Sequence, residues 1–207
     1  MRTLLVKKST HFMLSECSKN KKRFLKFFAV IIAVFWSLFL IATVFTVLEK
    51  KYVYPLLYKE EITAAAKTYD LDSAFLFGVV KTESGFNANA VSGKGAVGLM
   101  QITPSTAEYI AKRRGIAEYD LLDAATNLDF GAYYLKYLSE KFCGITEVAA
   151  AYNAGEGTVK NWLKNKEYSI DGRTLKAIPY GETAVYVKKI CKSLKRYKKL
   201  YGKLLDK

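Results

Sequence analysis

Between Phe27 and Leu48 the chain reads FFAVIIAVFWSLFLIATVFTVL, 22 residues without a charged side chain. As an α-helix rising about 1.5 Å per residue, this run is about 33 Å long, enough to cross a hydrocarbon core of about 30 Å. Helices of soluble proteins usually show a polar face, and this 22-residue run has none. The apolar region of a cleaved signal peptide is usually about 7–15 residues and ends at a small-residue site. Here the run ends in Val47-Leu48-Glu49-Lys50-Lys51, so a retained transmembrane helix is expected. Lys19, Lys21, Lys22, Arg23 and Lys26 crowd its N-terminal side, whereas Lys50 and Lys51 follow it beside Glu49. The bias of cationic residues toward the cytoplasm assigns residues 1–26 to a cytoplasmic basic segment, 27–48 to a single-pass span of the cell membrane, and all that follows to the extracytoplasmic side.

The formal net charge of +14 favours an anionic partner: nucleic acid, anionic lipid or an acidic wall polymer. Residues 1–26 hold eight Lys/Arg and one acid, so half of that charge belongs to the topogenic segment. That role accounts for it, and no nucleic-acid partner is expected. The Lys-rich end from Lys188 to Lys207 reads as a solvated helix face that can hold the chain near an anionic wall through screened attraction. The cysteines, Cys17, Cys143 and Cys191, form no CxxC pair, and His11 is the only histidine. A zinc site of Cys and His is thereby excluded. Cys143 and Cys191 fall on the same side of the membrane, but spacing does not determine whether they pair.

Tyr52 to Lys207 supplies 156 residues for one globular unit. Apolar residues at helical spacing predict a helix over Pro55–Tyr69, and Asp70 or Asp72 offers the N-cap of a second over Ser73–Glu83. In that second helix Phe75, Leu76, Val79 and Val80 are too dense for a surface position, so it should be central and buried. Ser84–Gly98 carries Gly85, Gly93, Gly95 and Gly98 and reads as loop, with room for one short hairpin. Further helices are expected from Pro104, over Asn127–Phe142, Ile145–Tyr152 and Thr158–Lys164, and from Glu182 to Tyr201. The outer unit is therefore mostly α.

Glu83 ends the buried helix, beside Val79, Val80 and Phe86. A carboxyl held against apolar walls has its ionised form disfavoured, which suits a general acid working near neutral pH. An isolated glutamate at a helix end would more often face water. Four blocks change that balance: Glu83-Ser84-Gly85-Phe86-Asn87, then Gly95-Ala96-Val97-Gly98-Leu99-Met100-Gln101-Ile102-Thr103-Pro104, then Ala150-Ala151-Tyr152-Asn153-Ala154-Gly155, and finally Ile178-Pro179-Tyr180-Gly181-Glu182-Thr183-Ala184-Val185-Tyr186. Taken in this order they resemble the lytic transglycosylases with a soluble-lytic-transglycosylase (SLT) catalytic domain, of the lysozyme-like superfamily. Asn127, Gly131, Tyr134 and Leu135 add the NxxxGxxYL pattern of that family. Ala88 departs from it, standing where the family often has proline.

The resemblance implies a mostly α, lysozyme-like domain over 62–192, joined to the membrane helix by a connector, 49–61, and followed by a basic tail, 193–207. It implies that Glu83 is catalytic and that Ser84, Met100, Gln101, Tyr152, Asn153, Glu182 and Tyr186 bind substrate, with Tyr152 and Asn153 facing the carboxyl. From chemistry alone, Tyr152 could equally be a core aromatic, Gln101 a loop brace, Met100 core filling and Glu182 a helix-dipole partner. Asp120, Asp123 and Asp129 read as capping residues near a helix start. The implied reaction is non-hydrolytic cleavage of the β-1,4 bond between N-acetylmuramic acid and N-acetylglucosamine in peptidoglycan, leaving 1,6-anhydro ends, with no metal or organic cofactor. The alternatives are a hydrolytic muramidase and a catalytically silent peptidoglycan-binding module.

Overall fold

A computed structural model describes the backbone from Arg2 to Leu205 and the side chains of residues 23–202, 204 and 205. The chain forms two compact units, Met1–Val53 and Tyr54–Lys207. In the first, helix α1 spans Arg2–Leu48 and passes into a π-helical turn, Glu49–Val53. The sequence suggested only a basic segment before Phe27; the helix continues back through it. Within the expected span 27–48 every hydroxyl bonds to its own helix: Ser37 donates to the Val34 carbonyl at 2.8 Å, Thr43 to Phe39 at 2.9 Å and Thr46 to Ala42 at 2.9 Å. The polar groups of the run are thus satisfied internally, as hydrocarbon requires. Arg23–Val53 is long and apolar enough to cross a membrane, its most apolar 18-residue window having a mean hydropathy of 2.7 and none of that window being buried.

The second unit holds helices α2 (Lys59–Thr68), α3 (Ser73–Glu83), α4 (Pro104–Arg114), α5 (Ala124–Ser139), α6 (Ile145–Ala154), α7 (Glu156–Lys164) and α8 (Gly181–Leu205). Among the described residues β structure is limited to isolated bridges, two of them, Val91 to Val97 and Val97 to Ile102, in the glycine-rich loop where a hairpin was expected. Asp72 caps α3, its carboxylate accepting from the backbone N–H of Ala74 at 2.8 Å and Phe75 at 3.3 Å. All seven residues from Ala74 to Val80 are buried. That leaves α3 no solvent face, and it packs along α8 at the centre of the unit.

Helix α8 buries Thr183, Tyr186, Val187, Ile190, Ser193 and Tyr197, a stripe at spacings of three and four. The Tyr197 hydroxyl donates to the Pro55 carbonyl at 3.1 Å and that of Tyr201 to Tyr54 at 2.9 Å. The helix runs unbroken to Leu205, four residues past the expected end at Tyr201, and its C-terminal part belongs to the core: Tyr197 is fully buried and Leu205 nearly so. Likewise Tyr54 is a core residue of this unit, although the resemblance suggested a connector reaching residue 61. Cys143 and Cys191 are both free thiols.

The loop between α3 and α4 is fixed by a buried amide. Asn127 of α5 accepts from the Met100 backbone N–H at 2.8 Å and donates to the carbonyls of Val97 and Leu121, each at 2.9 Å. Gly98 has φ +78, and a Cβ there would come within 2.2 Å of the Asn127 side chain. One turn along α5, a Cβ on Gly131 would fall within 2.2 Å of the Met100 sulfur. Asn127 and Gly131 thus accommodate one loop from one helix face, which gives the NxxxG spacing a steric meaning.

Replacing Asn127 by alanine strands one buried donor and two acceptors, at about 1–3 kcal/mol for each group that water cannot reach. Asn127→Ala is expected to lower unfolding stability by about 3 kcal/mol or more, read from the midpoint of a urea titration.

Candidate active site

Glu83 is the last residue of α3, so its position is set by a helix buried along nearly its whole length. Its carboxyl lines a cavity of about 790 Å³ whose walls come from the loop before α4, the end of α6 and the start of α8. The Tyr186 hydroxyl donates to Glu83 Oε1 at 2.6 Å. Burial pushes the Glu83 pKa up to about 7, and the Tyr186 hydrogen bond, which stabilises the ionised form, works against that rise. The carboxyl is therefore divided between acid and base forms near neutral pH. Burial and the nearby Glu83 charge hold the phenols of Tyr152 and Tyr186 well above their usual range, so both are proton donors and neither is a phenolate.

The other expected site residues separate into two groups. Gln101, Tyr152, Asn153 and Glu182 line the cavity with Glu83. Asn153 accepts from the Thr183 hydroxyl at 2.8 Å, which ties the end of α6 to the start of α8 across the cavity wall. The Gln101 amide donates to the carbonyls of Ala90 and Gly98, both at 3.1 Å. It braces the loop while its residue lines the cleft, so both roles open to it in the sequence are compatible.

Ser84 and Met100 are not part of that wall. The Ser84 hydroxyl donates to the Leu99 carbonyl at 2.8 Å and accepts from the Phe86 N–H at 3.1 Å, securing the turn where α3 ends. The Met100 side chain is fully buried against Gly131. Only its carbonyl faces the site residues, accepting the Tyr152 hydroxyl at 2.8 Å. The phenol bonded to the carboxyl is therefore that of Tyr186, while Tyr152, expected to face the carboxyl, directs its hydroxyl to the loop backbone.

Asp120 and Asp123 accept from backbone N–H groups of the following turn, as capping residues do. Asp129 departs from the capping reading: it pairs with Arg114 and accepts from the Tyr69 hydroxyl at 2.6 Å.

Three cavity features were not singled out from the sequence. Lys94 brings a cation to the wall on a turn held by the Ser92 hydroxyl, which accepts from Lys94 N at 3.3 Å and Ala96 N at 3.0 Å. Tyr180 lines the cavity, 57% exposed, its ring 5.0 Å from that of Trp162. Thr183 holds Asn153. A hydroxyl on the buried stripe of α8 was the one available signal for the Tyr186 bond, because a buried phenol needs a polar partner. An open cleft lined by hydroxyl, amide and aromatic groups around a carboxyl that is protonatable near neutral pH can hold a polyhydroxylated ring and deliver a proton to it. Among the described residues no group of His, Cys, Asp and Glu is arranged to hold a metal ion.

Residues 60–182 match the family described as Transglycosylase SLT domain. The soluble lytic murein transglycosylase of Salmonella typhimurium is 36% identical over 144 residues, 66% of this chain and 22% of that protein. Membrane-bound lytic murein transglycosylase C of Mannheimia succiniciproducens is 34% identical over 128 residues, covering 55% of this chain and 36% of that protein. Among solved structures, an inactive mutant of the lytic transglycosylase Slt from Pseudomonas aeruginosa superposes with a TM-score of 0.64 at 31% identity, over 73% of this chain and 25% of the other. The 70 kDa soluble lytic transglycosylase SLT70 from Escherichia coli gives 0.63 at 31% identity, over 70% and 25%. The chain thus spans between about a fifth and about a third of the length of these relatives. With the family matched across more than half of its residues and the fold shared, the chain belongs to the transglycosylase SLT domain family, as a mostly α, lysozyme-like unit preceded by one apolar helix.

Proposed function

We propose that this protein is a membrane-anchored peptidoglycan lytic transglycosylase in which Glu83 is both acid and base. The observation that carries the reading is the Glu83 carboxyl itself: buried, raised to about 7 and bonded to a phenol in the wall of an open cleft. Protonated Glu83 gives its proton to the β-1,4 oxygen between N-acetylmuramic acid and N-acetylglucosamine, and the leaving sugar departs with that proton. The carboxylate so formed takes the proton of the muramic C6 hydroxyl, whose oxygen closes on C1. The 1,6-anhydro ring forms, Glu83 is protonated again, and no water is consumed. The substrate's N-acetyl oxygen stabilises the oxocarbenium-like centre, as in substrate-assisted glycosidases. Substrate contacts are assigned to Gln101, Tyr152, Asn153 and Glu182, while Tyr186 positions the carboxyl and Ser84 and Met100 support the turn and the loop beneath it. The murein-cleaving names of the relatives support the substrate class, and the Pseudomonas relative is inactive as a glutamate-to-glutamine mutant. Arg23–Val53 is assigned as the anchor, with the N-terminus cytoplasmic, on the charge bias of its flanks.

A second carboxylate, Glu182, lines the same cavity, and it supports one alternative, a hydrolytic muramidase in which Glu182 activates water. Mass spectrometry of digested cell wall separates the two. Wild type is expected to release anhydro-muropeptides and Glu83→Gln to lose about 10²–10⁴-fold in rate or more. Reducing ends throughout would instead establish hydrolysis, and near-native turnover by Glu83→Gln would remove the assignment.

The acid step needs protonated Glu83, so kcat/KM is expected to fall as pH rises through about 7. Tyr186→Phe removes a bond that favours the ionised form, so that falling limb should move to higher pH. An unmoved limb in the pH–rate profile would separate the phenol from the titration.

The same shift has a stability consequence of determinate sign. The carboxyl is ordinary in the unfolded chain and raised when folded, so the unfolded state binds fewer protons between about pH 4.5 and 7. The cost of burying it appears through that window and is complete above it. Glu83→Gln is expected to melt higher than wild type at about pH 8, by on the order of 1–3 kcal/mol, with the advantage gone at about pH 4. Thermal melts of both proteins across pH provide the measurement.

A further inference from the structure

Helix α8 turns one face to solvent, and that face is almost entirely lysine. Lys188, Lys189, Lys192, Lys195, Lys198 and Lys199 are all exposed. At about 100° per residue, Lys188, Lys192, Lys195 and Lys199 fall within a stripe about 60° wide, with Lys189 and Lys198 flanking it. From Thr183 to Leu205 the helix has no acidic residue. Among the described residues only Lys198 of the six has an ion-pair partner, Asp72. Lys81 of α3 adds a seventh cation close by: burial lowers its pKa, and Lys192 and Lys189 lower it further. The cleft chemistry uses none of these lysines, which occupy the side of α8 opposite its buried stripe.

The first residues of the globular unit are bound to this helix. Tyr197 and Tyr201 hold the carbonyls of Pro55 and Tyr54, the Tyr54 ring meets Tyr197 edge-on at 5.4 Å, and Lys81 stands 5.1 Å above the Tyr54 ring. Only the five residues Glu49–Val53 separate Tyr54 from the apolar run that ends at Leu48, so in a chain inserted in a bilayer the short connection keeps the globular unit at high effective concentration near the lipid surface. A row of cations under that constraint is complementary to anionic headgroups wherever the adjoining leaflet carries them. A polyphosphate wall polymer offers the same charge, but nothing comparable holds it next to Tyr54.

We propose that the lysine face of α8, with Lys81, binds the anionic phospholipid headgroups of the membrane that holds the chain. The proposal rests on the reading of Arg23–Val53 as a membrane span. The test is amine footprinting of the full chain reconstituted in nanodiscs of neutral phosphatidylcholine, or of the same lipid with roughly a third phosphatidylglycerol. Acylation of Lys188, Lys192, Lys195 and Lys199, read lysine by lysine by mass spectrometry, is expected to drop about three-fold or more in the anionic discs. Lys164 and Lys166 should be unchanged. Protection should disappear in about 1 M salt, where the Debye length is about 3 Å. A quadruple exchange of Lys188, Lys192, Lys195 and Lys199 to Gln, all exposed positions, should abolish the lipid-dependent protection of Lys189 while leaving the melting temperature in place. Equal labelling in the two lipids overturns the proposal. So does protection that appears in neutral discs only when a soluble polyglycerol phosphate is added, which would make a wall polymer the partner. A chain that enters neither disc overturns the membrane-span reading and this proposal with it, and is thereby distinct from equal labelling in a chain that enters both.

Discussion

The cleft depends on the side-chain amide of Asn127. Its three hydrogen bonds reach Met100, Val97 and Leu121, and the one from Met100 is fully buried. The chain from Gly98 to Gln101 turns with positive φ at both ends, a geometry that leaves its peptide groups without a regular ladder. Unsatisfied and buried, those groups would cost more than the loop could gain by packing. The amide supplies the missing partners, and the absence of a side chain on Gly98 and Gly131 gives the amide and Met100 the space they occupy. With Met100 fixed, its carbonyl accepts the Tyr152 hydroxyl, and Tyr152 lines the cavity beside Glu83. Two hydrogen bonds in series, Asn127 to Met100 and Met100 to Tyr152, therefore lead from an α5 side chain to the cavity wall.

The carboxyl in that cavity is set by two opposed effects. Burial favours the neutral form; the short bond from Tyr186 favours the charged one, and burial is the larger. A cationic partner in place of the phenol would reverse the outcome, since an opposite charge within about 4–6 Å lowers a carboxyl by one to three pKa units. Among the described residues Glu83 has no such partner. The nearest charges that other carboxylates of the unit enjoy, Arg114 on Asp129 and Lys160 on Glu156, lie elsewhere. Using a neutral donor keeps the proton available near pH 7 while still fixing the direction in which the carboxyl points.

The helical framework was legible because its signals are local. Asp70 or Asp72 before a dense apolar run marked the start of α3, and Ile145–Tyr152 and Thr158–Lys164 fall within the observed α6 and α7. The long apolar stretch was plainer still. What the sequence left unresolved was the direction of side chains. Tyr152, partly buried, and Tyr186, buried, both bring a phenol near one carboxyl, and no spacing rule says which hydroxyl turns toward it; that depends on the acceptor each finds across the fold, a loop carbonyl for one and Glu83 for the other. Met100 and Gln101 are neighbours in a motif, yet a backbone turn sends one into the core and leaves the other on the cavity wall. The extent of α8 was legible to within a turn, but the packing of its C-terminal part was not: its lysines suggest a solvated face, while Tyr197 and Tyr201, spaced between them, bond to residues more than a hundred positions earlier.

That helix also explains why the cleft and the chain entry form one mechanical piece. Tyr186 reaches Glu83 from one part of the buried stripe of α8, and Tyr197 and Tyr201 hold Pro55 and Tyr54 from another. About 1.5 Å of rise per residue separates these groups along a single rigid rod, some 17 Å from Tyr186 to Tyr197. Whatever orients the start of the globular unit therefore orients the carboxyl as well, because α3 and α8 are packed together along the same core. Because Tyr54 and Pro55 are hydrogen-bonded to the helix whose Tyr186 holds Glu83, the start of the globular unit and the cavity carboxyl keep one fixed relation within that unit.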